Sequence, residues 1–397
     1  MPLTFPHPLH PHSKALPQRL RRPAHPLRRA LPVALALLAA TACRSTSGPV
    51  LIGLAGPFTD PVGAPMKRAA ELAVEEINAQ GGVAGRPMQL VERNDFANSD
   101  SAVFVATDLY NAGVAAVVGH LYSGQTLAAA PVYNGGEDPV AAISPSSSSP
   151  DVSGAGRYTF RLCPSDLAHG AALARWIRNR LALERGAVLY LNDDYGRGVR
   201  ETFVEEFARL GGELLSIDPY LGDTPDVGVY LDRLAKSGRA QFIVVAGNRG
   251  DAEEILRQAR SRKLTVPVLG ADGLEGIEEA GALAEGVYVS QAYLPSIDRP
   301  ANRRFVDAYR RKYPDAGLPN QPAAATYDAI YLLRDVIAHA GTRRDAIRDA
   351  LSAVGKGAPA FEGVTGRVVF DSLGDVPASE VHIGVVHDGV IRLAEGG

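Results

Sequence analysis

The sequence predicts an α/β protein made of two doubly wound lobes. Three observations carry that reading. From Val50 onward, apolar runs of strand length alternate with segments of helical periodicity. Such alternation means parallel sheets covered by helices on both faces. The alternation falls into two successive series of about five strands each, and 397 residues suffice for two or three ordinary domains.

The first segment stands outside the fold. Residues 1–30 are rich in Pro, His and Arg, a composition that builds no core. Leu31–Ala42 (LPVALALLAATA) is apolar and is followed by Cys43. A basic region, a short apolar core and small residues read as a secretory signal. The apolar stretch is too short for a permanent bilayer span. Ala40-Thr41-Ala42-Cys43 resembles a bacterial lipoprotein cleavage site, with Ala40 where Leu is usual. Residues 1–42 are therefore expected to be a leader, Cys43 the lipidated residue, and 43–48 a linker to the fold. Arg28-Arg29 lacks the context of a twin-arginine signal. Cys43 and Cys163 are the only cysteines. If Cys43 is lipidated, Cys163 has no partner and is expected to be a small buried residue.

Charge narrows the partners. The formal net charge is −3, and the leader holds Lys14, Arg19, Arg21, Arg22, Arg28 and Arg29 without an acid. Removing those six leaves −3 − 6 = −9. A mature chain that acidic, with no basic cluster, argues against nucleic acid.

The first series follows in order. Val50–Ala55 is a predicted strand. Gly63–Gln80 is a helix with Met66, Ala69, Ala70, Ala73, Val74 and Ile77 on one side, ended by Gly81-Gly82. Met88–Glu92 is a strand, and Asn98-Ser99-Asp100 opens a helix to Ala112. Ala115–Val118, Val140–Ile143 and Tyr158–Leu162 are strands. The second series has strands at Ala187–Leu191, Glu213–Ile217, Phe242–Ala246, Val266–Gly270 and Gly286–Ser290. Its helices are Leu167–Leu181, Gly196–Leu210, Val227–Lys236 and Asp251–Arg262. Helices near Asn302–Arg311, Ala323–Ala340 and Arg344–Ala353 come next. Strands at Gly366–Phe370, Val381–Val386 and Val390–Leu393 close the chain.

One stretch has a site-like form. Ala115–Pro131 (AAVVGHLYSGQTLAAAP) runs from a buried strand, through a break at Gly119, to an alanine-rich helix from about Thr126. The loop holds Ser123, Gly124, Gln125 and Thr126. Hydroxyls and free N–H groups at a helix start suit an anion, a carboxylate or a phosphate alike. The same residues also suit an ordinary N-cap. Two doubly wound lobes would place a ligand beyond the carboxyl ends of the strands, in a cleft that closes by hinge motion.

The order of motifs resembles the type I periplasmic binding proteins, in the leucine/isoleucine/valine-binding branch that feeds ABC importers. The matching segments are GPFTDPVG (56–63), EEINAQGGVAGRPMQLVERND (75–95), VVGHLYSGQTLAAAPVYN (117–134), ISPSSSSP (143–150), NDDYGRG (192–198), ILRQAR (255–260), TYDAIYLL (326–333) and FDSLGD (370–375). The resemblance implies two lobes joined by a three-crossing hinge. Lobe one is expected at 49–166 plus 291–372, and lobe two at 167–290 plus 373–397. It further implies a lipid-anchored, exported protein that closes on an amino acid and presents it to ABC permease subunits, with no cofactor.

Site residues follow from the same resemblance. Ser123, with Gly124 at the helix start, aligns with the position that binds the ligand carboxylate. Ser147 and Ser148 align with residues that meet the ligand's α-groups; a serine run is otherwise a surface linker. Asp272, in LGADG, aligns with the acidic partner of the ammonium; an aspartate before Gly273 is otherwise an ordinary turn residue. Tyr195 aligns with an aromatic wall. Departures matter too. Asn248, followed by Arg249, and Val62 stand where aromatics are frequent, so the pocket is expected to be more polar than an aliphatic one. Asn248 is expected to meet an amide, a hydroxyl or a second carboxylate. Tyr122 stands where some relatives carry a disulfide cysteine.

The sequence has no H-E-x-x-H, G-x-x-x-x-G-K-[ST] or G-x-S-x-G. An enzyme reading therefore lacks a nucleophile–base motif. His382 and His387 are spaced for opposite faces of a strand, which disfavours a metal there. His120 is expected to make structural hydrogen bonds. A sensor or regulatory subunit of the same fold, for an amide, small carboxylate or sugar, remains the competing reading.

Overall fold

The computed structural model describes residues 48–222 and 226–394, so the expected leader and Cys43 lie outside the described residues. The first sheet contains β1 (Val50–Gly56), β2 (Met88–Asn94), β3 (Ala116–Val118), β4 (Ala142–Ser144) and β5 (Thr159–Arg161). Its order is β2-β1-β3-β4-β5, with every pair parallel. The intervening helices are α1 (Ala64–Ala79), α2 (Ser99–Asn111) and α3 (Ser123–Asn134). Each starts where chemistry allows. Pro65 fits the first turn of α1. The Asn98 side chain accepts the Ser101 N–H at the head of α2.

Strand periodicity divides the core of this lobe. Val50, Ile52 and Leu54 face one side with Met66, Ala70 and Ile77 of α1. Ala55 and Val117 face the other side with Val105 and Leu109 of α2 and Ala129 of α3. Each buried aliphatic chain contributes roughly 1.5–3 kcal/mol. Gly119 follows β3 with φ +136°, and a Cβ there would lie 2.1 Å from the Ala55 carbonyl oxygen. Only glycine lets the chain leave β3 so close to β1.

The second sheet begins after α4 (Asp166–Asn179) with β6 (Arg185–Leu191), α5 (Asp194–Arg209), β7 (Glu213–Tyr220), α6 (Gly228–Ser237), β8 (Phe242–Ala246), α7 (Arg249–Ser261), β9 (Val268–Gly270) and β10 (Tyr288–Gln291). Val188 and Val244 pack with Leu173, Ile177 and Phe203 on the α4–α5 face. Leu189 and Val245 pack with Leu231, Ile255 and Leu256 on the α6–α7 face. The chain then returns to the first lobe as α8 (Pro300–Lys312), α9 (Gln321–Ala340) and α10 (Arg344–Ala353). Ile330, Leu333 and Ile347 join the core behind β1. A short pair, β11 (Phe361–Glu362) and β12 (Arg367–Val368), precedes the last crossing to β13 (His382–His387) and β14 (Val390–Leu393). The chain thus passes between lobes between β5 and α4, between β10 and α8, and between β12 and β13.

The structure corrects several expectations. Helix α3 starts at Ser123, not near Thr126, with Tyr122 as its N-cap. The supposed loop is the first helical turn. The second sheet has seven strands in the order β14-β13-β10-β9-β8-β6-β7, and β13 and β14 are antiparallel additions. Asp388 and Gly389, with φ 53° and 73°, form the two-residue turn between them, as an Asp-Gly pair favours. The expected strand 366–370 shrinks to β12. Just ahead of it the Asp328 carboxylate takes the N–H groups of Val364 and Thr365 at 2.8 and 2.9 Å, and just beyond it the Phe370 N–H turns to the Val354 carbonyl at 3.3 Å. Strand β7 runs on to Tyr220 as a half-exposed edge.

Candidate functional site

Both sheets point the carboxyl ends of their strands at one cleft of about 770 Å³. Its walls are the short segments that leave β1, β3 and β4 on one lobe and β6, β8 and β9 on the other. Asp60, Leu121–Gln125 and Ser146 line the first wall. Leu191–Tyr195, Asn248–Gly250 and Asp272, Gly273 and Glu275 line the second. This is the place that parallel-sheet topology reserves for ligands, and the volume is that of a small-molecule site.

On the first wall, the opening helical bond of α3 runs from the Thr126 N–H to the Tyr122 carbonyl. The N–H groups of Ser123, Gly124 and Gln125 therefore lie ahead of the ladder, at the positive end of the helix. The Ser123 hydroxyl oxygen accepts the Ser149 N–H at 3.2 Å, which leaves its proton to donate elsewhere. A Cβ on Gly124 would lie 3.7 Å from Asp194 Oδ2 of the opposite wall, so the cleft is narrow here. His120, beside this helix, is buried. Its ring nitrogens meet Asp95 Oδ2 at 2.6 Å and Tyr133 Oη at 3.2 Å. Tyr122, in place of a disulfide cysteine, donates to Asp60 Oδ2 at 3.2 Å.

On the second wall, Asp272 follows β9. Tyr195 donates its hydroxyl to Asp272 Oδ1 at 2.9 Å and accepts the Gly273 N–H at 2.7 Å. Tyr195 is thus more than a wall: it orients the carboxylate. Burial, then the Asp272 charge, pushes the Tyr195 phenol up. Behind Asp272 lies buried His169, whose Nε2 is 3.7 Å from Asp272 Oδ2 and whose Nδ1 is 2.9 Å from Ser290 Oγ. Burial holds the His169 imidazole below its ordinary value. Asp166 is buried, with the Ser148 side chain and the Arg161 charge favouring its ionised form. Burial first, then the Asp272 charge, pushes it well above the usual carboxylate range.

The structure brings five of the expected residues to the cleft: Ser123, Gly124, Tyr195, Asn248 and Asp272. It does not bring Ser147 and Ser148 to the cleft surface. Both are fully buried, and Ser146 faces the cleft instead. The Ser147 hydroxyl is occupied within the scaffold, 2.7 Å from Thr126 Oγ1 and donating to the Leu121 carbonyl at 3.2 Å. The Ser148 carbonyl accepts the Asp166 N–H at 2.8 Å, and its buried hydroxyl lies against the Asp166 carboxyl behind the wall. The serine run is therefore no surface linker. Asn248 is half committed: its carboxamide oxygen accepts the Asp251 N–H in a capping box at the head of α7, which leaves its NH₂ for the cleft.

Sequence reasoning missed Arg161, the charged end of β5. Its guanidinium is buried and donates to the Ser148 and Ser149 carbonyls at 3.0 and 2.9 Å and to Asp375 Oδ2 at 2.8 Å. A cation closing an otherwise apolar strand was the available signal. Also missed were Asp166, His169 and Glu275. Cys163 is buried and free, and burial pushes its thiol up. Among the described residues no group of three or more His, Cys, Asp or Glu is placed to hold a metal ion, and no helix is long and apolar enough to cross a membrane.

A donor-rich helix start facing an oriented carboxylate across a two-lobed cleft defines a solute-binding protein. The family model described as periplasmic binding protein matches residues 49–389. A leucine-, isoleucine-, valine-, threonine- and alanine-binding protein of Pseudomonas aeruginosa is 30% identical over 338 residues, covering 82% of this chain and 87% of that protein. A Leu/Ile/Val-binding protein of Escherichia coli K12 is 29% identical over 251 residues, or 62% of this chain and 67% of its own length. The branched-chain amino acid transporter substrate-binding protein of Streptococcus pneumoniae, solved with isoleucine, superposes with a TM-score of 0.78. It is 27% identical and is matched over 87% of this chain and 99% of its own. The chain belongs to the periplasmic binding protein family.

Proposed function

We propose that this protein is the extracytoplasmic substrate-binding component of an ABC importer and that its ligand is a free amino acid. One observation carries the reading: the Ser123 helix start and the Tyr195-oriented Asp272 face each other from different lobes. A carboxylate suits the first and an ammonium the second, and charge-assisted hydrogen bonds are the strong kind. Gly124 and the Asn248 amide add donors, and Ser146 takes the place first assigned to Ser147 and Ser148. Only a shut cleft lets one ligand touch both lobes, so binding selects the closed form. The closed form is what a permease would read. The protein acts by binding, with no chemical step. Lobe one is taken as 49–166 plus 291–372 and lobe two as 167–290 plus 373–397. A lipid on Cys43 would hold the exported protein at the membrane.

The test is a thermal-shift screen of the twenty amino acids, small carboxylates, amides and sugars on protein unfolded and refolded to strip carried-over ligand. A ligand at 100 times its Kd adds about 2.7 kcal/mol, a visible rise in melting temperature. Ser123→Ala should weaken the best amino acid by about 1.5–3 kcal/mol. Asp272→Ala should abolish its binding while the fold persists. Full affinity in Asp272→Ala, or hits confined to sugars, would overturn the assignment.

A further inference from the structure

The cleft holds a second acidic group that an aliphatic ligand leaves unused. Glu275 lines the cleft one short turn beyond Asp272. Its Oε2 is buried and has no hydrogen-bond partner. Beside it lies Gln291, the last residue of β10, which is 1% exposed. Its amide lies against the Glu275 carboxyl, but neither side chain reaches full hydrogen-bond geometry there. Buried polar groups in folded proteins are nearly always paired, so unpaired atoms from two side chains at a ligand cleft mark a place for a polar group of the ligand.

The charges around Glu275 specify which kind. Glu278 and Asp272 act on it as like charges, offset by the Gln291 side chain and the Gln321 N–H. Two guanidiniums line the cleft, and both are engaged. Arg197 pairs with Asp194 at 2.6 Å. Arg249 pairs with Glu253 at 2.9 Å and Glu279 at 2.7 Å. The cleft thus keeps an excess of acceptors after Asp272 has met an ammonium. A hydrocarbon side chain would cover Glu275 and leave its polar atoms unmet.

We propose that the amino-acid ligand carries a side chain ending in N–H donors, basic or amide, which Glu275 and Gln291 receive. This rests on the amino-acid reading above and departs from the aliphatic ligands in the relatives' names. Burial, then the Glu278 charge, pushes the Glu275 carboxyl up to about 8. With the carboxyl so raised, a cationic side chain would displace a proton from Glu275 on binding, whereas an amide would not.

The experiment is isothermal titration of the stripped protein with lysine, arginine, glutamine, asparagine, leucine, isoleucine and valine, at pH 7 in two buffers of different ionisation enthalpy. At least one of the first four should bind tenfold or more tighter than every aliphatic amino acid. Proton release on binding identifies a basic ligand, and none identifies an amide; either supports the proposal. Glu275→Leu should lower affinity for the preferred ligand at least tenfold. Glu275→Gln is near-isosteric and keeps the test valid if the leucine variant does not fold. It should cost a basic ligand tenfold and an amide less. Tightest binding of leucine, isoleucine or valine, unchanged within twofold by Glu275→Gln, overturns this inference and leaves the amino-acid reading intact. Binding of no amino acid overturns both.

Discussion

Replacing Asp375 by alanine tests how the hinge holds the site. Arg161 is 1% exposed, and Asp375 is its counter-charge. Asp375 Oδ1 lies 2.8 Å from Arg161 Nε. Oδ2 accepts from Nη2 at 2.8 Å and from Ser153 Oγ at 2.6 Å. Asp375 belongs to the third crossing, whereas the carbonyls held by Arg161 belong to the serine segment behind the cleft. Removing the carboxylate leaves a buried guanidinium unbalanced, a loss of about 3–5 kcal/mol. The Asp375 side chain keeps 16% exposure, so water reaches the gap and the lower end, about 3 kcal/mol, applies. Asp375→Asn keeps an acceptor and should lose less. Arg161→Met combined with Asp375→Leu removes both charges and should be milder than the sum of its single changes. Urea unfolding followed by the fluorescence of Trp176, the single tryptophan, reads these variants and the two single changes Arg161→Met and Asp375→Leu. An alanine variant within about 0.5 kcal/mol of the parent, the range of ordinary surface changes, would refute the argument. So would a double variant as unstable as the sum.

Other outcomes follow from the same geometry. A Cβ on Gly198 of α5 would lie 2.8 Å from both Asp166 Oδ2 and Pro150 Cδ of the other lobe. Gly198→Ala should therefore hold the lobes apart and weaken ligand binding about tenfold, or 1.4 kcal/mol; calorimetry showing parental affinity would count against that wedge. The Glu275 carboxyl, raised by burial from 4.5 to about 8, stays neutral in the fold where it ionises in the unfolded chain. Its contribution is complete below about pH 4.5 and is lost as the pH rises through about 8. Melting temperatures between pH 5 and 9 should fall less steeply in Glu275→Gln than in the parent; equal slopes would refute it. Gly119→Ala should destabilise both apo and liganded protein, because its Cβ meets the Ala55 carbonyl at 2.1 Å. A parental melting temperature would be the contrary result.

The fold was legible because strand and helix periods persist through both lobes. Val50–Ala55 and Ala187–Leu191 read as strands because each is an unbroken apolar run of strand length, as in strands buried on both faces. The C-terminal strands were read as strands, but their antiparallel pairing was not, although Asp388-Gly389 was the signal for it. Sites at strand ends were legible where a hydroxyl or carboxylate follows a strand, as at Ser123 and Asp272. The serines were not resolvable by sequence. Neighbours in one run face the cleft, the scaffold or Arg161, and only the backbone path decides which. Arg161, Asp166 and Glu275 owe their roles to burial and to partners far along the chain, which no local pattern encodes.

The topology bears on how the chain acquires its structure. Neither lobe is contiguous: β1–β5 wait for α9 and α10 to cover one face, and β10 waits for β13 and β14 to cover its edge. A chain emerging from its N-terminus therefore cannot close either core until nearly its last residue is out. Until then β10 presents an open strand edge, the kind that pairs wrongly with other chains. Such late completion suits a polypeptide that must stay unfolded while it is carried across a membrane. It also makes the final hairpin, far from the cleft in sequence, a condition for having a cleft at all.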